Sequence, residues 1–137
     1  MLVDGYNVIF SWEDLKALAQ TNMEAARGRL MDILCNYQGY QGCRLILVYD
    51  AYKVKDNPGS TMKYHNIEVV YTKEAETADQ YIERTTHQLG AKPQKYRVTV
   101  ATSDALEQMI IWGNGATRMS ALGLKAAVEA AGAEYFK

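Results

Sequence analysis

Leu2-Val3-Asp4-Gly5-Tyr6-Asn7-Val8-Ile9 opens the chain with a short apolar run that breaks, at a carboxylate, into a Gly-led turn. Such a run reads as a buried strand, with Asp4 at its C-terminal end. In open α/β sheets ligands bind outside the carboxyl ends of the strands, where the strand order reverses, so an acid there is placed for chemistry. The arrangement recurs along the chain. Leu45-Ile46-Leu47-Val48-Tyr49 runs into Asp50, Val98-Thr99-Val100-Ala101-Thr102-Ser103 runs into Asp104, and Ile67 to Tyr71 leads to Glu76-Thr77-Ala78-Asp79. Any one of these aspartates is explained by the preference of Asp for turns and helix N-caps. Their recurrence, with no Gly-rich phosphate loop beside them, points instead to a shared acidic site along one edge of a parallel sheet.

The segments between the strands carry helical patterns. Trp12 to Ala19 fits a short helix, and Thr21 with Glu24 forms a capping box for a longer one with Ala26, Leu30, Ile33, Leu34 and Tyr37 on its apolar face. Gly39 and Gly42 close it. Ala51 to Asn66, rich in Lys, Asp, Asn, Pro and Gly, reads as a long loop. Thr77 and Gln80 form a second capping box, for a helix with Ala78, Ile82 and Leu89 inward and Gly90 as its stop. Ala105 to Trp112 fits a further helix, Ala116 to Met119 a fifth, edge strand, and Leu122 to Ala131 a last helix. Strands alternating with helices require right-handed crossovers. The expected architecture is a three-layer α/β/α sandwich around a mostly parallel sheet of four or five strands, one domain over residues 1–137.

Apolar residues at 48% and charged residues at 23% are ordinary for a globular protein, and 137 residues suffice for one core without staples. The net charge of −1 gives no global basic field, so a polyanion would be met by local patches or through a metal. Cys35 and Cys43 show no zinc-ligand spacing with each other or with His65 and His87 and read as free thiols. No secretory leader and no membrane-spanning run is visible, so the expected location is the cytoplasm.

Carboxylates gathered at one edge repel one another unless a cation joins them, and oxygen donors suit Mg²⁺ or Mn²⁺. Mg²⁺ uses only one or two carboxylates directly, for which Asp4 and Asp104 are the candidates. Asp79 and Asp50 would hold a second ion or orient bound water, and Asn7 would meet a metal water or a substrate phosphate. Such a site suits attack of metal-activated water on a phosphodiester. Ser103 has no histidine placed as its base and reads as a cap or a support for Asp104.

Val3-Asp4-Gly5-Tyr6-Asn7, Val48-Tyr49-Asp50-Ala51, Thr72-Lys73-Glu74 with Glu76-Thr77-Ala78-Asp79, and Ala101-Thr102-Ser103-Asp104 together resemble the NYN domains of the YacP-like group, bacterial relatives of the PIN-fold ribonucleases. The resemblance spans essentially the whole chain. It implies a metal-dependent endoribonuclease acting on RNA, with messenger RNA on the ribosome as the substrate of better-studied members. It implies catalytic roles for Asp4, Asp79 and Asp104, with Asn7, Asp50 and Glu76 in support. Two departures are a first strand that is short before Asp4 and an end at Lys137, where relatives carry a further charged helical tail.

Contact with RNA would fall to Lys53, Lys55, Lys63, Lys73 and Arg118, with Tyr6, Trp12 or Tyr52 available for stacking on bases. A phosphatase of the haloacid dehalogenase type needs a second Asp where Tyr6 stands, and a phosphoryl-accepting receiver needs a strand-end Lys that is lacking. The alternative of a different class is a non-catalytic RNA- or ribosome-binding module on the same fold.

Overall fold

The computed structural model describes residues 1–51, 55–90, 97–104 and 116–135. Six strands, β1 (Leu2–Asp4), β2 (Ile46–Tyr49), β3 (Ser60–Tyr64), β4 (Ile67–Tyr71), β5 (Thr99–Ala101) and β6 (Thr117–Met119), form one sheet in the order β3-β4-β2-β1-β5-β6. Every pairing is parallel except β3 with β4. Central β1 sets Leu2 opposite Ile46 of β2 on one side and Val100 of β5 on the other. The order therefore runs outward from β1 both ways, through β2 and β4 and through β5 and β6, and its reversal lies between β1 and β5.

Strand β3 corrects the expected loop over Ala51 to Asn66 and raises the count above four or five. Its side chains are exposed up to Tyr64, so no buried face marks it in the sequence. It is specified by its antiparallel pairing to β4 across the turn at His65-Asn66, where His65 adopts φ 51°.

Alternation along the strands divides the core into two halves. Val3, Leu47, Tyr49, Val69 and Ala101 pack on one face with α1 (Gly5–Ser11), α2 (Glu13–Thr21), α3 (Met23–Gln41) and the last helix, α5 (Ala121–Tyr135). Leu2, Ile46, Val48, Val70 and Val100 pack on the other with Ala78 and Ile82 of α4 (Ala78–Gly90). This is the three-layer α/β/α arrangement expected. Trp12 is buried in the first half, its indole N–H bonded to the Ala121 carbonyl at 2.7 Å, so it belongs to the core and offers no ring for stacking on RNA.

The helix starts differ from expectation in two places. After Asp4 the chain enters α1 directly at Gly5, where a free turn was expected. A Cβ at Gly5 would lie 2.5 Å from the Tyr49 ring, so glycine here is required by the close approach of an aromatic side chain. The N-cap of α3 is Asn22, whose side chain accepts from the Ala25 N–H at 3.1 Å, because Thr21 still belongs to α2. That helix passes through Gly39 and ends at Gly42 in the left-handed region. The box opening α4 forms as expected: Thr77 Oγ1 accepts from Gln80 N at 3.2 Å and Gln80 Oε1 accepts from Thr77 N at 2.9 Å. The expected helix over Ala105 to Trp112 lies outside the described residues.

Candidate active site

The even-numbered residues Leu2, Val48 and Val100 face the α4 layer. Two residues further along the same strands stand Asp4, Asp50 and Thr102, which alternation turns to that side at the carboxyl edge. Hydrogen bonds show how they are held. Thr102, fully buried, donates its hydroxyl to Asp4 Oδ2 at 3.4 Å while accepting the Asp104 N–H at 3.2 Å. One side chain thereby links the Asp4 carboxylate of β1 to the backbone of Asp104, in the loop after β5, across the reversal of strand order. Asp4 is only 8% exposed, and Asp104 is half-buried.

The loop after β5 is fastened from two further directions. Asn7 Oδ1 accepts from Ser103 N at 2.8 Å, and Ser103 Oγ accepts from Ala121 N at 2.9 Å. Asn7 thus ties α1 to this loop, and Ser103 caps α5, reached across space. The hydroxyl of Ser103 thus serves as an acceptor at the start of α5.

On the other flank Asp50 Oδ2 accepts from Ala78 N at 3.3 Å, bringing the end of β2 to the first turn of α4, where Asp79 stands exposed. Glu76 is ion-paired with Arg84 at 3.1 Å, and that guanidinium also lies over the Tyr81 ring. The four expected aspartates therefore fall into two linked sets, Asp4 with Asp104 and Asp50 with the turn carrying Asp79. Among the described residues no group of three or more His, Cys, Asp or Glu side chains is close enough to hold a metal ion.

The basic residues are scattered. Lys73 follows β4 beyond the carboxyl edge, and Lys55 lies in the turn whose next residue, Asp56, donates its N–H to Glu74 Oε2. Lys63 pairs in register with Glu68, and Arg118 with Val100, both at the level of Leu2 and away from the acidic edge. All four are exposed. Lys53 and Tyr52 lie outside the described residues. Among these residues no helix is long and apolar enough to cross a membrane.

Outside the residues expected from the sequence lies Arg27, whose Nη1 donates to the Tyr6 hydroxyl at 3.3 Å. Tyr49 beside it donates its own hydroxyl to the Arg27 carbonyl at 3.0 Å, and burial pushes the ionisation of that phenol upward. An arginine inside an amphipathic helix that also carries Arg29 gives no signal of this in sequence.

The family model for the YacP-like NYN domain matches residues 1–136. Protein YacP of Bacillus subtilis strain 168, described as uncharacterized, is 43% identical over 129 residues, covering 94% of this chain and 74% of its own. The crystal structure of Rae1 (YacP) from Bacillus subtilis superposes with a TM-score of 0.81 at 40% identity, over 98% of this chain and 75% of that one. A point mutant of the same protein gives the same TM-score over 97% and 76%. Matched by the family model over residues 1–136, by a relative 43% identical and by the fold of a solved structure, the chain belongs to the YacP-like NYN domain family, which has the PIN-like nuclease fold.

Proposed function

We propose that this chain is a divalent-metal-dependent endoribonuclease that hydrolyses phosphodiester bonds within RNA, with Asp4, Asp104 and Asp79 as its catalytic carboxylates. The observation that carries the reading is the Asp4–Thr102–Asp104 link at the point where strand order reverses. The donor set fits Mg²⁺ or Mn²⁺: two carboxylates of adjacent strands offer hard oxygen ligands, and Mg²⁺ fills its remaining positions with water rather than with more protein groups. A bound ion would supply an activated water and offset charge on the phosphoryl oxygens.

The chain's own residues do the rest. Asp4 and Asp104 hold the ion, and Thr102 keeps them in fixed relation. Asn7 and Ser103 anchor the loop that carries Asp104. Asp50 and Asp79 orient water at the outer side of the site, and the Glu76–Arg84 pair steadies the turn that presents Asp79. The near-neutral charge of the chain favours a substrate presented to it over one drawn by long-range attraction. We assign messenger RNA on the ribosome, hence the cytoplasm, as the setting.

The test incubates the protein and Asp4→Asn with structured and single-stranded RNA in Mn²⁺ or EDTA. Cleavage by the native protein in Mn²⁺ alone, and none by Asp4→Asn with native circular dichroism, is the expected result. Unchanged cleavage by Asp4→Asn overturns the site. RNA or ribosome binding without cleavage in any metal makes the chain a non-catalytic binding module.

A further inference from the structure

On the face of the sheet opposite α4, but at the same carboxyl edge, three tyrosines form a row. Tyr6 of α1 and Tyr49 of β2 have ring centroids 5.1 Å apart at 51°, and Tyr49 and Tyr71 of β4 are stacked at 5.5 Å and 29°. Tyr49 is fully buried and its hydroxyl is engaged, whereas Tyr6 and Tyr71 stay partly exposed. Arg27 of α3 lies against this row through its hydrogen bond to Tyr6. Among the described residues no carboxylate forms an ion pair with Arg27. A guanidinium has five N–H donors, and one is used here on a neutral phenol.

A core needs none of this, since aliphatic side chains would seal the helix against the sheet as well. Partly exposed aromatic rings beside an arginine without an ion partner are the combination that binds unpaired nucleotides: rings take up bases by stacking and the arginine meets the phosphate. The row and the acids share the carboxyl edge from opposite faces of the sheet. Tyr6 stands two residues after Asp4, and Tyr49 directly precedes Asp50. We infer that Tyr6, Tyr71 and Arg27 form a binding subsite for one unpaired nucleotide of single-stranded RNA, next to the nucleotide whose phosphate meets Asp4. The inference rests on the ribonuclease reading and adds to it a requirement for an unpaired, stackable base beside the cut.

The test measures binding of an unstructured fluorescent RNA in EDTA, where no cleavage occurs and no metal contributes. Tyr71→Leu is expected to weaken binding about tenfold, within the range for loss of one base-stacking side chain. Tyr71→Phe is expected to recover most of that loss, and Arg27→Gln to weaken binding and flatten its salt dependence. A scan of abasic nucleotides along the RNA should find one position whose loss weakens the native protein about as much as Tyr71→Leu does, and which costs Tyr71→Leu almost nothing more. Native affinity in both Tyr71→Leu and Arg27→Gln overturns the subsite, as does a scan with no sensitive position on the native protein, a readout that needs no variant to fold. Neither result bears on whether Asp4→Asn loses cleavage, so subsite and active site fail separately.

Discussion

The two flanks of the carboxyl edge are built by different means. Beside β1 and β5 three hydrogen bonds reach far in sequence: Thr102 hydroxyl to Asp4, Ser103 N–H to Asn7, and Ala121 N–H to the Ser103 hydroxyl. At the start of α4 the bonds are mostly local, Thr77 with Gln80 and Glu76 with Arg84, and only Asp50 reaches in from elsewhere. A carboxylate beside β1 is therefore fixed by the whole fold, whereas Asp79 is fixed by one helix turn that would form in many settings. Two acids proposed for one site are thus held in different ways, Asp4 by a long-range bond and Asp79 by its own helix turn.

The sharpest way to break that distinction is by activity. Asp104→Asn should lower RNA cleavage by roughly 10²- to 10⁴-fold, the scale of a group acting directly at the reacting atoms, and Asp79→Asn by roughly 10- to 100-fold, the scale of an outer group that orients a ligand. Rates measured in Mn²⁺ on one RNA decide it. Equal losses would merge the two flanks into one site.

A smaller effect is expected on melting. An ion that binds only the folded protein adds about 2.7 kcal/mol at a hundredfold excess over Kd, so millimolar Mn²⁺ should raise Tm by several degrees. Asp4→Asn should erase most of the rise, while Asp79→Asn should keep most of it. A Mn²⁺ titration with Ca²⁺ as control reads this out, and a rise that survives in Asp4→Asn would move the ion away from β1.

The least effect belongs to the uncharged link. Thr102→Val keeps the shape but removes the acceptor of the Asp104 N–H and the donor to Asp4, at a cost of about 1–2 kcal/mol. Asp50→Asn retains an oxygen for the 3.3 Å bond from Ala78 and should cost less, on the order of 0.5 kcal/mol. Urea denaturation of both variants compares the flanks, and a larger loss from Asp50→Asn would reverse their ranking.

Much of this was legible in the sequence because buried parallel strands are apolar runs and their ends must turn. Asp4, Asp50 and Asp104 stand out for that reason. Strand β3 was not legible, since Ser60 to Tyr64 buries no face and takes its conformation from β4. The shift of the α3 cap from Thr21 to Asn22 depends on where α2 ends, which local propensity does not decide. The tie of Ser103 to Ala121 and the meeting of Arg27 with Tyr6 join elements whose closeness exists only in three dimensions.

The position of β1 has a consequence for the order in which the molecule comes into being. Its three residues precede every other strand in the sequence, yet they occupy the middle of the sheet, and the hydroxyl that contacts Asp4 belongs to a residue 98 places later. Contacts of such long range delay folding, because the loop must close before the pairing rewards it. On a growing chain β1 can pair with β2 early, but the acidic pair has no second member until residue 104 has been added. The candidate acidic edge thus joins residues made far apart in time, Asp4 before every other strand and Asp104 only after β5.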